Sequence, residues 1–149
     1  MAQGTSITYR NAVTNGGTND GSAVDANVRV YRATIALDDT VNFKGASGDT
    51  DLIARLPPGS RIKQIDVISS VSLTTSTLAF GIAGTAAKFG AAKAYGVVPD
   101  TIVSWATASA QAGVMSNLPV DVLMTIGVAA LPTGATNIMV VDIIYSARG

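Results

Sequence analysis

The chain has no cysteine and no histidine. The first absence excludes disulfides, zinc–thiolate sites and a cysteine nucleophile; the second removes the commonest general base and the commonest metal ligand. Glutamate is missing too, so all ten acidic residues are aspartates. Glu favours helices, whereas Asp favours turns and caps, and the skew argues against helices. Charge is scarce: 13% of residues are charged, against a typical share of roughly 25%. Lys+Arg and Asp+Glu balance at ten each, and no basic block exists to hold a phosphate backbone, so nucleic acid is not an expected partner. No apolar run approaches the roughly 20 residues that span a bilayer, and no basic-then-apolar leader opens the chain, so neither a membrane partner nor a signal peptide is expected.

At 149 residues the chain has the length of one domain that can bury a core without staples. With 48% apolar residues and so few charges, either Ser, Thr, Asn and Gly coat its surface, or part of that surface is hidden against partner subunits.

Residues 1–27 read as a separate segment, rich in Gly, Asn, Thr and Ser, with strand character only at Ile7–Tyr9. Alone it cannot bury enough apolar surface to fold. It is either a disordered tail or an extended N-terminal arm that orders on a neighbour by backbone pairing and apolar anchors. Under the arm reading the partner-binding residues are Ile7, Tyr9, Arg10 and Val13.

From Val28 the pattern becomes strands separated by turn residues. Val28–Leu37 puts Tyr31, Ala33, Ile35 and Leu37 on one face. Asp51–Leu56 is a short strand ended by Pro57-Pro58-Gly59. Ile62–Leu73 alternates from Ile65 onward, and Ile62 is out of phase, which calls for a bulge near Lys63-Gln64. Thr77–Ala83 sets Leu78, Phe80 and Ile82 against a face of Ala79, Gly81 and Ala83 that permits close approach. Residues 84–99 read as a long loop or one short helical turn. Thr101–Ala108 is a strand around Trp105, and Val120–Val128 alternates cleanly. Asn137–Ser146 is apolar on both faces, so it should be central and covered on its outer side as well. Seven or eight strands without an amphipathic helix predict an all-β single domain over 28–149, a β-sandwich of jelly-roll type.

No catalytic constellation emerges. Asp38/Asp39 and Asp49/Asp51 flank a loop and could be an acid pair or a Ca²⁺ site, but the EF-hand spacing and its closing Glu are missing. Gly81, Gly84 and Gly90 with Lys88 lack the Gly-Lys-Ser/Thr of a phosphate loop. No catalytic residue, cofactor or metal is therefore expected. Trp105 and Tyr95 admit a sugar-stacking surface, with core packing as the plainer reading.

The run Leu56-Pro57-Pro58-Gly59-Ser60-Arg61-Ile62, then Ser76-Thr77-Leu78-Ala79-Phe80-Gly81, Lys88-Phe89, Ala94-Tyr95 and a closing Ile144-Tyr145, resembles the decoration (cement) proteins of tailed-bacteriophage capsids. The resemblance spans residues 28–146 and leaves out the arm; its Pro-Gly turns and Ser-Thr-Leu strands also occur in many β proteins. It implies a jelly-roll subunit made in the host cytoplasm and assembled, as a homotrimer, on the exterior of the virion. There it would bind the major capsid protein and stiffen the shell. Other phage parts (a head fibre base, a tail component, a minor coat protein) and a carbohydrate-binding sandwich are the alternatives.

Overall fold

In the computed structural model, residues 28–96, 98–107 and 117–147 are described. Eight strands appear in them: β1 (Val28–Ala36), β2 (Thr50–Leu56), β3 (Arg61–Ser69), β4 (Thr77–Ile82), β5 (Thr85–Ala94), β6 (Val103–Ala106), β7 (Val120–Gly127) and β8 (Ile138–Ser146). The pairing is nested. β4 pairs with β5, β3 with β6, β2 with β7 and β1 with β8, all antiparallel. Such a chain is one long double ribbon whose tip is the β4–β5 hairpin. Rolling the ribbon adds the pairs β3–β8 and β4–β7. Two four-stranded sheets result, β1-β8-β3-β6 (sheet A) and β2-β7-β4-β5 (sheet B), which is the jelly-roll form of the β-sandwich.

Period-two alternation fills the space between the sheets. Ile65, Val67, Met139, Val141 and Ile143 of sheet A face Leu78, Phe80, Val122, Met124 and Ile126 of sheet B, all fully buried. The expected bulge is present, as a register shift between Ile62 and Gln64 on β3 against β8. β8 is central, as its two apolar faces required.

The stretch 84–99 departs from expectation. Its residues 85–94 are not a loop but β5. The glycines that look like breakers in the sequence have specific jobs. Gly84 turns the hairpin at φ 80°, where a side chain would be strained. A Cβ on Gly90 would sit 2.8 Å from Cδ1 of Trp105, so this glycine admits the indole. On β4, the Ala/Gly face does allow close approach: a Cβ on Gly81 would run into the backbone of Thr85 and Ala86. β7 stops at Gly127 because Val128 takes a left-handed φ of 65° and is turned to solvent.

Candidate assembly surface

The flank of the sandwich formed by β5 and β6 is closed by side chains. Trp105 on β6 crosses to sheet B, where its Nε1–H donates to the carbonyls of Leu78 and Ala91 (3.1 Å each). Its ring meets Phe80 edge-on at 5.4 Å and 80°, a favourable aromatic geometry. Lys93 on β5 donates to the Ser104 carbonyl at 2.9 Å and lies 5.3 Å from the indole centroid. Tyr95 is wholly buried; its hydroxyl donates to the Thr101 carbonyl at 2.5 Å and accepts from the Ser69 N–H at 3.1 Å. Both aromatics that could have stacked a sugar are thus inside the fold, with Trp105 only 3% exposed.

The opposite flank, between β1 and β2, is open. A cleft of about 520 Å³ runs along it, lined by Tyr31, Ala33 and Ile35 of β1 and by Phe43, Asp51 and Ile53 from the loop and β2. Tyr31 is 40% exposed although its cross-strand partner Ile143 is fully buried. Asp51 projects one oxygen to the Lys44 N–H (3.1 Å), while its Oδ2 is buried without a hydrogen-bond partner among the described residues. Burial pushes the Asp51 carboxyl above its ordinary range, against the opposing Lys44 N–H. Asp39 and Asp49 are occupied in turns: Asp39 accepts from Val41 N–H, Asn42 N–H and the Asn42 amide, and Asp49 accepts from Ala46 N–H.

Sheet A's outer surface carries a polar band between apolar patches. Across all four strands run Arg32, Asp142, Asp66 and Ser104, in register. Arg32 grips Asp142 with two bonds, Nε to Oδ1 at 2.7 Å and Nη2 to Oδ2 at 2.6 Å. This holds the Asp142 carboxyl below the usual carboxylate range, partly opposed by burial. Gln64 joins Asp66 (2.7 Å) to Ser104 (3.3 Å). To one side lie Val30 and Ile144, to the other Thr34, Val140, Ile68 and Ile138. The sequence asked for a cover over this side of β8; the described residues leave Ile138 exposed and Val140 and Ile144 half-buried.

A second cleft, of about 510 Å³, opens at one end of the sandwich between Leu56, Ile62, Ile82, Phe89 and Leu123. Three of its polar side chains are committed to structure. Ser60 Oγ donates to the Pro57 carbonyl, Thr107 Oγ1 to the Ile62 carbonyl, and Asp121 accepts twice from Arg55. Lys88, whose neighbouring glycines lack the signature of a phosphate loop, is on β5 with its ammonium 6.0 Å from the Phe89 ring.

The four sheet edges differ. β2 is bulged between Leu52 and Ala54, β5 shifts register twice against β4, and β6 has only four residues. These are ordinary ways of blunting an edge. β1 has none of them: its nine residues run in unbroken register from Val28↔Ser146 to Ala36↔Ile138, with Val28 and Val30 more than half exposed.

Comparison with protein-family models and with curated proteins gives no match. Solved structures do match. The fold is one found in phage capsids. A chain in the capsid of Ralstonia phage GP4 aligns with 19% identity and a TM-score of 0.63, over 83% of this chain and 86% of that one. A chain of the cyanophage Pam1 capsid asymmetric unit gives 19% and 0.56, over 82% and 86%. One from the acid-stable capsid of Helicobacter pylori bacteriophage KHP30 gives 8% and 0.55, over 83% and 90%. At such identities the likeness is one of fold. The anchors named from sequence, Ile7, Tyr9, Arg10 and Val13, lie outside the described residues. What sequence reading missed is the open β1–β2 flank with its unpaired Asp51 oxygen; period-two alternation at Tyr31, Ala33 and Ile35 signals an inward face but not that the strand is an edge.

Proposed function

We propose that this chain is a non-enzymatic structural protein of a tailed-phage virion, a decoration (cement) protein that binds the outside of the major capsid shell and stabilises it. The observation that carries the reading is the jelly roll shared, over more than four-fifths of the chain, with three chains from phage capsid structures. The motif resemblance across residues 28–146 points the same way, and the low charge and open β1 flank suit a protein whose surface is completed by neighbours. In this reading residues 1–27 are an arm whose Ile7, Tyr9, Arg10 and Val13 contact an adjacent subunit. The protein works as a homotrimer, made in the host cytoplasm and added to the capsid exterior. Many modest contacts repeated by symmetry supply the avidity that holds it on the shell.

The test is antibody labelling of intact, purified particles of the phage that carries the gene. The reading expects the chain in the particles, labelled without disrupting them. Its absence from particles removes the virion role; labelling only after disruption removes the exterior placement and favours another capsid component.

A further inference from the structure

The edge of β1 can be read donor by donor. Leu37 N–H donates to the Asn137 carbonyl and Ser70 N–H to the Ile138 carbonyl, each at 2.9 Å. In an antiparallel ladder the hydrogen-bonded pairs alternate. The β1 residues in phase with Leu37, namely Ile35, Ala33, Tyr31 and Arg29, therefore bond to β8. The N–H groups of Val28, Val30, Arg32, Thr34 and Ala36 point away from the sheet, and no described strand meets them. This row borders the cleft that exposes Tyr31, Ala33 and Ile35 and holds the unpaired Asp51 oxygen.

We propose that the outer edge of β1 is paired by Thr5–Tyr9 from the arm of a second copy of this chain, with the side chains of Ile7 and Tyr9 closing the β1–β2 cleft. The inference rests on reading residues 1–27 as an assembly arm, and it names the surface that receives it. Thr5-Ser6-Ile7-Thr8-Tyr9 is uncharged, rich in β-formers and free of Gly and Pro. In a strand, Ile7 and Tyr9 share one face. That face meets the cleft where Tyr31, Ala33 and Ile35 line it, and the Tyr9 hydroxyl is a donor for Asp51 Oδ2.

Two other occupants fit less well. A second β1 in full antiparallel overlap sets Arg32 opposite its own copy, and like charges directly opposite destabilise. Pairing within one chain needs only a hairpin loop of 2–5 residues, yet residues 10–27 separate the two segments. That connection can extend roughly 60 Å, about twice the length of a nine-residue strand, which suits a neighbour.

The absence of native cysteine makes cross-linking clean. Full-length Thr8→Cys and Thr34→Cys chains, mixed and treated with a short bis-maleimide, should give a product of twice the chain mass containing one of each. The double variant yielding only a product of single-chain mass, with none in the mixture, overturns the proposal in favour of pairing within one chain. No product at all, when both thiols label with a maleimide dye, overturns the edge pairing itself. As a second measurement, Thr34→Pro removes one outward N–H and none of the β8 bonds, so the folded chain should sediment as monomer; a coefficient equal to wild type contradicts the proposal. Binding of the same variants to capsid shells separates the two readings. Shell binding without the cross-link sinks only the edge pairing, whereas cysteine variants that cross-link but, like wild type, never bind shells sink the decoration role.

Discussion

The two flanks of the sandwich are built from similar strands and finished differently. On the β5–β6 side, Trp105 spans the sheets, Gly90 makes room for it, Lys93 reaches across, and Tyr95 ties two loops together. On the β1–β2 side inward-facing Tyr31 remains exposed, and among the described residues a carboxylate oxygen of Asp51 is buried without a partner. A sandwich closed on one flank and open on the other is a domain whose described residues complete only part of its core. The open flank is where assembly has something to add: apolar area to bury and donors to pair.

The contrast can be broken at several points. The largest effect belongs to Trp105→Ala, which deletes the closure of the β5–β6 flank. It should cost about 3–5 kcal/mol, as large core truncations do, read by urea unfolding. Tyr95→Phe leaves the Ser69 N–H and the Thr101 carbonyl unpaired in the interior and should cost about 1–3 kcal/mol. Gly90→Ala drives a methyl into the indole and should cost about 1–3 kcal/mol. In the Trp105→Ala background, which removes the Cδ1 and Cγ contacts but keeps Cβ at 2.9 Å, that cost should fall without vanishing, and strict additivity of the two would show that the close approach of the indole ring at Gly90 is not what limits the site.

On the open flank, two adjacent prolines should separate. Ala33→Pro removes a bond to β8 and should lower stability by about 1–3 kcal/mol. Thr34→Pro removes only an outward N–H and should cost the isolated fold less than half as much. Equal costs would refute the alternation assigned to β1.

The smallest effects are electrostatic. Asp142 is held below its unfolded value by Arg32, so it adds stability above an unfolded pKa of roughly 3.9 that is lost as pH falls through the folded value. Asp142→Asn should flatten that acid limb. Asp51 runs the other way: its raised folded value means stability present at low pH and lost as pH rises through it, so Asp51→Asn should make the fold more stable at pH 7. Thermal melts from pH 2 to 7 would show both slopes.

The sequence was most legible where the core imposes alternation. β3, β7 and β8 follow from period-two runs of Val, Ile and Leu, and the phase break at Ile62 located a real bulge. β5 was illegible because Thr85–Ala94 has mostly small side chains, so burial leaves little apolar rhythm to read, and its glycines serve contacts made by residues distant in the chain. The burial of Trp105 and Tyr95 was open for the same reason: their partners, Leu78, Ala91, Ser69 and Thr101, are brought together only by rolling the ribbon. Centrality of β8 was readable from its two apolar faces. The edge position of β1 was not, since its inward row of Tyr31, Ala33 and Ile35 has the same rhythm as a covered strand.

The most direct test of the central claim is co-sedimentation of the purified full-length chain with capsid shells of the phage that encodes it, assembled without this protein. If the chain is a decoration protein, it pellets with the shells, saturates at a fixed ratio to the major capsid protein, and raises the temperature at which the shells come apart. A chain that stays in the supernatant at every concentration, and leaves that temperature unchanged, contradicts the account.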